Sequence, residues 1–142
     1  MLYLASDHGG FHLKETIKKC LEELSVPYQD MGANQLDPDD DYPDFAKLVA
    51  EKIVAEQDGR GILVCGTGLG MCLVANKFKG IRATAPFDEF GAQQSREHLD
   101  ANVLCLGEKT IAEDEAKKIV QIWLNTDFSS DARHQRRLGK VE

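Results

Sequence analysis

Apolar residues follow two rhythms along this chain. Short runs rich in apolar residues at 2–5, 26–31, 62–65, 81–85 and 102–107 read as strands, the second of them weaker than the rest. Between them the spacing lengthens to that of a helix. Leu13, Ile17, Leu21 and Leu24 share one face, with Lys14, Glu15, Lys18 and Lys19 off it. Tyr42-Pro43-Asp44 starts a helix whose stripe is Phe45, Leu48, Val49 and Ile53, proline suiting a first turn. A helix over 71–77 places Met71, Val74 and Ala75 inward, and Pro86-Phe87-Asp88 opens another that holds Ala92, Ser95 and Arg96. Thr110-Ile111-Ala112-Glu113 has capping-box spacing, and the helix it introduces carries Ala116, Ile119, Val120, Trp123 and Leu124 on one side. Strands alternating with helices, without a hairpin signal, predict an α/β protein. The expected architecture is one domain over 1–142: a doubly wound, Rossmann-like, three-layer αβα sandwich with a five-stranded parallel sheet.

The pattern also says where chemistry belongs. In open α/β sheets ligands bind beyond the carboxyl ends of the strands. There the first strand runs into Asp7-His8, and the third into Cys65-Gly66-Thr67-Gly68-Leu69-Gly70. Alternate glycines let a turn bend sharply and present backbone N–H groups to an anion. A thiol and a hydroxyl in that turn exceed what phosphate binding needs, and suggest a base or nucleophile beside an oxyanion site. The competing assignments are a tight turn with a buried cysteine for Cys65, and a helix N-cap for Asp7. The turn is neither a dinucleotide fingerprint nor a Walker loop.

Charge and composition narrow the classes. A net charge of −7 over 142 residues argues against nucleic-acid binding by the surface at large. Cys20, Cys65, Cys72 and Cys105 have no paired spacing, which predicts reduced thiols in a cytoplasmic protein. No signal peptide is read, and no apolar run approaches the ~20 residues of a membrane helix. The acidic run 37–41 lacks EF-hand spacing and reads as a solvated loop, so no metal is expected there. After Asn125 the chain turns polar. Its cationic cluster Arg133-His134-Gln135-Arg136-Arg137 reads either as a solvated tail or, with Arg133 and Arg137 four apart, as an anion clamp.

Ser6-Asp7-His8-Gly9-Gly10, Asp41-Tyr42-Pro43, the 65–70 turn, Ala75-Asn76-Lys77, Gly80-Ile81-Arg82-Ala83, Ser95-Arg96-Glu97-His98, Ala101-Asn102-Val103-Leu104 and Arg133-His134-Gln135-Arg136-Arg137 together resemble ribose-5-phosphate isomerase type B. That family also includes the galactose-6-phosphate isomerase subunits. The likeness runs over nearly the whole chain in the family's order. It implies a metal-free aldose–ketose isomerase working through a cis-enediolate. Cys65 would move the proton between C1 and C2, and Thr67 with the N–H groups of Gly66 to Gly70 would hold the enediolate oxygen. His98, aided by Asp7, would open the furanose ring, while His8, Arg133 and Arg137 would hold the phosphate. Tyr42, Leu69, Leu99 and Lys109 stand at further substrate-contact positions. The resemblance also implies a homodimer or homotetramer with sites between subunits, the tail 126–142 reaching its neighbour. Two positions depart from the family pattern. Leu99 stands where Asn is common, and Lys109 where Arg is frequent, and both bear on which sugar is bound. The same chemistry on a hexose phosphate (galactose 6-phosphate or allose 6-phosphate) or a tetrose phosphate, and sugar-phosphate binding without turnover, are the alternatives.

Overall fold

The computed structural model describes residues 1–142. Strands β1 (Leu2–Ser6), β2 (Tyr28–Asp30), β3 (Arg60–Cys65), β4 (Ala83–Thr84) and β5 (Val103–Gly107) form one sheet in the order β2-β1-β3-β5-β4. Every pairing is parallel. Helices α1 (Phe11–Glu23), α2 (Tyr42–Ala55), α3 (Leu69–Ala75), α4 (Glu89–Glu97), α5 (Glu113–Asn125) and α6 (Ala132–Val141) make up the rest. The expected doubly wound α/β sandwich is the fold observed.

Both faces of the central strands are buried, so their sequence is uninterruptedly apolar. Period-two alternation sends Leu2, Leu4, Ile62 and Val64 to one face with α1, α5 and Trp123. Tyr3, Ala5, Leu63 and Cys65 go to the other, against α2 and α3. β1 connects leftward to β2 while β3 continues to the right, so the switch point lies between the carboxyl ends of β1 and β3. Gly10 is required there: a Cβ on it would stand 2.5 Å from the Val64 carbonyl carbon.

Four local expectations are corrected. The edge strands β2 and β4 are shorter than 26–31 and 81–85: β2 starts only after Pro27, which has no N–H to donate, and side chains take over hydrogen bonds at β4. Asn76 caps Ala83 from both sides, accepting from its N–H at 2.8 Å and donating to its carbonyl at 2.9 Å, which closes that edge. The capping box does not form: Ala112 is the N-cap of α5, and the Thr110 hydroxyl donates back to Gly107 at 3.3 Å. On α2 the inward face is Ala46, Val49, Ala50 and Ile53, with Leu48 exposed. Lys14, placed by its charge off the apolar face, is wholly buried. Its ammonium donates to Asp30 at 2.9 Å and to the Ala33 carbonyl at 2.6 Å, which compensates the burial and pins the chain leaving β2.

Candidate active site

The carboxyl ends of β1 and β3 meet as one cluster. Asp7 is buried at the end of β1 and its Oδ1 accepts from Gly10 N at 3.1 Å, capping a single 3-10 turn at His8–Gly10. The capping role and a place in the site therefore coincide. Burial raises the Asp7 carboxyl above the usual carboxylate range, with Asp40 adding to it and His8 opposing.

Cys65 ends β3, the residue only 5% exposed, and the Gly68 N–H donates to its Sγ at 3.2 Å. Gly68 reaches that position at φ 77°, a left-handed conformation, with the Leu106 backbone 3.0 Å from any Cβ. The N–H groups of Gly66, Thr67 and Gly70 make no hydrogen bond within the chain and remain free for a ligand. Thr67 is exposed, its Oγ1 accepting from Leu69 N at 3.3 Å. The walls come from elsewhere. Tyr42 lies over Gly70, where a Cβ would stand 2.7 Å from its ring, and the Lys109 stem lies 3.8 Å from the equivalent point on Gly66. Lys109 N also donates to the Gly66 carbonyl at 3.0 Å, tying the β5 loop to the turn. This cluster gathers Asp7, His8, Tyr42, Cys65 to Gly70 and Lys109.

His98, Leu99, Arg133 and Arg137 form a second group on the β4 flank, and no hydrogen bond or ion pair joins it to the first. His98 caps the end of α4, and its ring stacks on His134 with centroids 4.1 Å apart. The Ser129 Oγ contacts His134 Nδ1 at 2.7 Å, and burial holds the His134 imidazole below the usual histidine range, with His98 and Arg133 beside it. The tail is not a frayed end. It forms α6, which lies on its own chain, with Ser129 N donating to Glu97 O and Glu142 paired to Arg82 at 3.1 Å. Arg133 and Arg137 share an outward face of α6, and Arg133 has only a 3.8 Å approach to Asp131.

Two residues with no role in the sequence reading emerge. His134 was masked by its arginine neighbours. Asp40 was masked by the acidic run around it, although its Oδ1 meets both the backbone N–H and the ring Nδ1 of His8. Asp7, His8 and Asp40 each offer a ligand atom within 4.8 Å of the others, but the His8–Asp40 pair already occupies two of those atoms.

A profile of the family described as Ribose/Galactose Isomerase matches residues 2–141. A crystal structure of ribose-5-phosphate isomerase B from Mycoplasma genitalium, with bound ribulose 5-phosphate, superposes with a TM-score of 0.94 at 44% identity, covering 99% of this chain and 92% of that one. Ribose-5-phosphate isomerase B of Escherichia coli is 41% identical over 95% of this chain and 89% of its own. A D-erythrulose-4-phosphate isomerase of Pectobacterium atrosepticum is 38% identical over 88% and 82%. Matched by the family profile over residues 2–141 and sharing 38–44% identity with these proteins over most of its length, the chain belongs to the Ribose/Galactose Isomerase family.

Proposed function

We propose that this chain is an aldose–ketose isomerase that interconverts ribose 5-phosphate and ribulose 5-phosphate, metal-free and cofactor-free, in the cytoplasm. Cys65 carries the reading. A thiolate there takes the proton from C2 of the open-chain aldose and returns it to C1. The negative charge that develops on the enediolate oxygen meets the free N–H groups of Gly66, Thr67 and Gly70 and the Thr67 hydroxyl. His8 and Lys109, beside the turn, supply positive charge for the phosphate end.

Ring opening needs His98, which stands apart from Cys65 within one chain. A second copy supplies it: His98, Leu99, Arg133 and Arg137 of one subunit complete the Cys65 cluster of its partner in a homodimer, free to pair into a tetramer. Exposed Leu69 and Leu73, which line one surface hollow directly after the Cys65 turn, and exposed Leu99 beside His98 support this, since both candidate clusters then carry apolar side chains for a partner to cover. On this arrangement the tail presents its arginines to the neighbour while lying on its own chain.

Leu99 favours a second reading, the same chemistry on a shorter sugar. An apolar side chain there, 45% exposed, offers no hydrogen bond to a sugar hydroxyl, and the chain is similar to an erythrulose-4-phosphate isomerase. The test is a panel of pentose, hexose and tetrose phosphates incubated with pure protein, before and after exhaustive chelation. The expected result is greatest turnover of ribose 5-phosphate, unchanged by chelator. Higher kcat/KM on a tetrose phosphate would replace the substrate, turnover on none would leave a binding protein, and loss restored by a divalent ion would replace the mechanism.

A further inference from the structure

We infer that Asp40 is a positioning residue for His8: it fixes the imidazole through Nδ1, so that Nε2 is presented to the substrate's phosphate. This rests on the proposed phosphate role of His8. Asp40 lies in the loop between β2 and α2, thirty-two residues from His8 in sequence. One carboxylate oxygen, Oδ1, meets the His8 backbone N–H at 2.9 Å and Nδ1 at 2.7 Å. That double contact sets both the position of the turn and the rotation of the ring. The other oxygen, Oδ2, is buried and has no partner. The side chain of Asp40 is 11% exposed while that of His8 is 40% exposed.

The asymmetry matters for an anion. A bare carboxylate in this place would repel a phosphate. Here both of its oxygens are shielded, and what faces solvent is the imidazole it holds, with Nε2 free. The charged groups acting on His8 are Asp40 from the loop and Asp7 from the end of β1. Both favour the imidazolium against the opposing effect of desolvation, the hydrogen bond to Asp40 being the largest influence. Lys109 flanks the turn from the β5 side across Gly66. The sugar phosphate's second ionisation, near ~6, belongs to the ligand and is common to every variant.

Asp40→Asn keeps an acceptor for the His8 N–H and removes only the charge. In the intact protein, NMR titration of the His8 ring should show its midpoint falling by about one pH unit in Asp40→Asn, with Asp40→Glu recovering part of the shift. KM for ribose 5-phosphate at neutral pH should rise about tenfold while kcat stays within about twofold, and the alkaline rise of KM should move to lower pH. In a His8→Gln background Asp40→Asn should add nothing further. A His8 midpoint and KM profile unchanged in Asp40→Asn, or equal added losses in the His8→Gln background, would overturn the assignment. Titration with inorganic phosphate separates the two readings. If wild-type protein turns over no sugar phosphate, yet phosphate raises the His8 midpoint and Asp40→Asn weakens that response, the reaction reading fails and this one stands.

Discussion

The two clusters of candidate residues are built differently. The Cys65 cluster sits where two parallel strands end, and its members are held by backbone: Asp7 by Gly10, the thiol by Gly68, the Gly66 carbonyl by Lys109. The His98 cluster sits on the ends of two helices, α4 and α6, and is held by a ring stack and exposed ion pairs. Its arginines point into solvent. The difference teaches a division of labour. Proton transfer at carbon needs a base and an oxyanion site fixed to a fraction of an ångström, which strand ends provide. On the proposed reading, ring opening by His98 and the added charge of Arg133 and Arg137 tolerate a looser mounting, which the partner subunit brings in from outside, while His8 meets the phosphate from the rigid half.

The largest expected effect tests the rigid half. Cys65→Ser should lower kcat by about 10³-fold or more on every substrate, because a hydroxyl is too weak an acid to exchange the proton near neutral pH. Binding should persist. Solvent-deuterium incorporation at the carbon alpha to the carbonyl should stop, and exchange at the wild-type rate would identify another base. His98→Ala comes next. A loss of about 10²-fold on furanose substrates, with a four-carbon aldose phosphate spared, would separate the halves by role. Equal losses on both substrates would merge them.

Subunit mixing tests whether the halves come from different chains. Cys65→Ala and Arg133→Ala proteins, each inactive, should regain part of the wild-type rate after exchange, because one hybrid site then carries neither change. No recovery despite exchange proven by mass spectrometry would place both halves in one chain.

Smaller effects probe how tightly the first half is built. Gly10→Ala forces a Cβ to 2.5 Å from the Val64 carbonyl carbon, so the turn that follows Asp7 must move off the end of β3. Unfolding in urea should show a loss of about 1–3 kcal/mol. The Gly139 position on α6, open to solvent, should tolerate the same change. The smallest effect is a pH dependence. The folded Asp7 carboxyl holds its proton more tightly than the unfolded one, mainly through burial. Between the two pKa values the native state binds more protons, so ionisation lowers stability as pH rises. Asp7→Asn should therefore raise the urea midpoint slightly at pH 7 and match wild type near about pH 3, below the usual carboxylate range. A lower midpoint at pH 7 would mean that the ionised form is the stabilising one.

How legible this was from sequence depended on the range of the interaction. Apolar periodicity marked every strand and most helix faces, because burial on two sides of a parallel sheet leaves a signal within a few residues. It located the thiol turn and the Asp7-His8 pair at strand ends for the same reason. At the edges the apolar runs 26–31 and 81–85 exceed the strands that form: β2 begins after Pro27, and β4 is bounded by Asn76 and Asn102, side chains outside the run. Lys14 looked like surface because its partners, Asp30 and the Ala33 carbonyl, lie beyond the reach of a helical pattern.

What the sequence determined by itself, then, is the strand-and-helix order as far as α5, the candidate thiol and the family likeness, all carried by local pattern or ordered motifs. What only the tertiary structure decided is which of those motifs share a place. It joined Asp40 to His8 across a loop and His134 to His98 across the tail, and it kept His98 apart from Cys65. Such pairings depend on how sheet and helices stack, and no spacing along the chain encodes a contact between residues that only the packed layers bring to hydrogen-bonding distance.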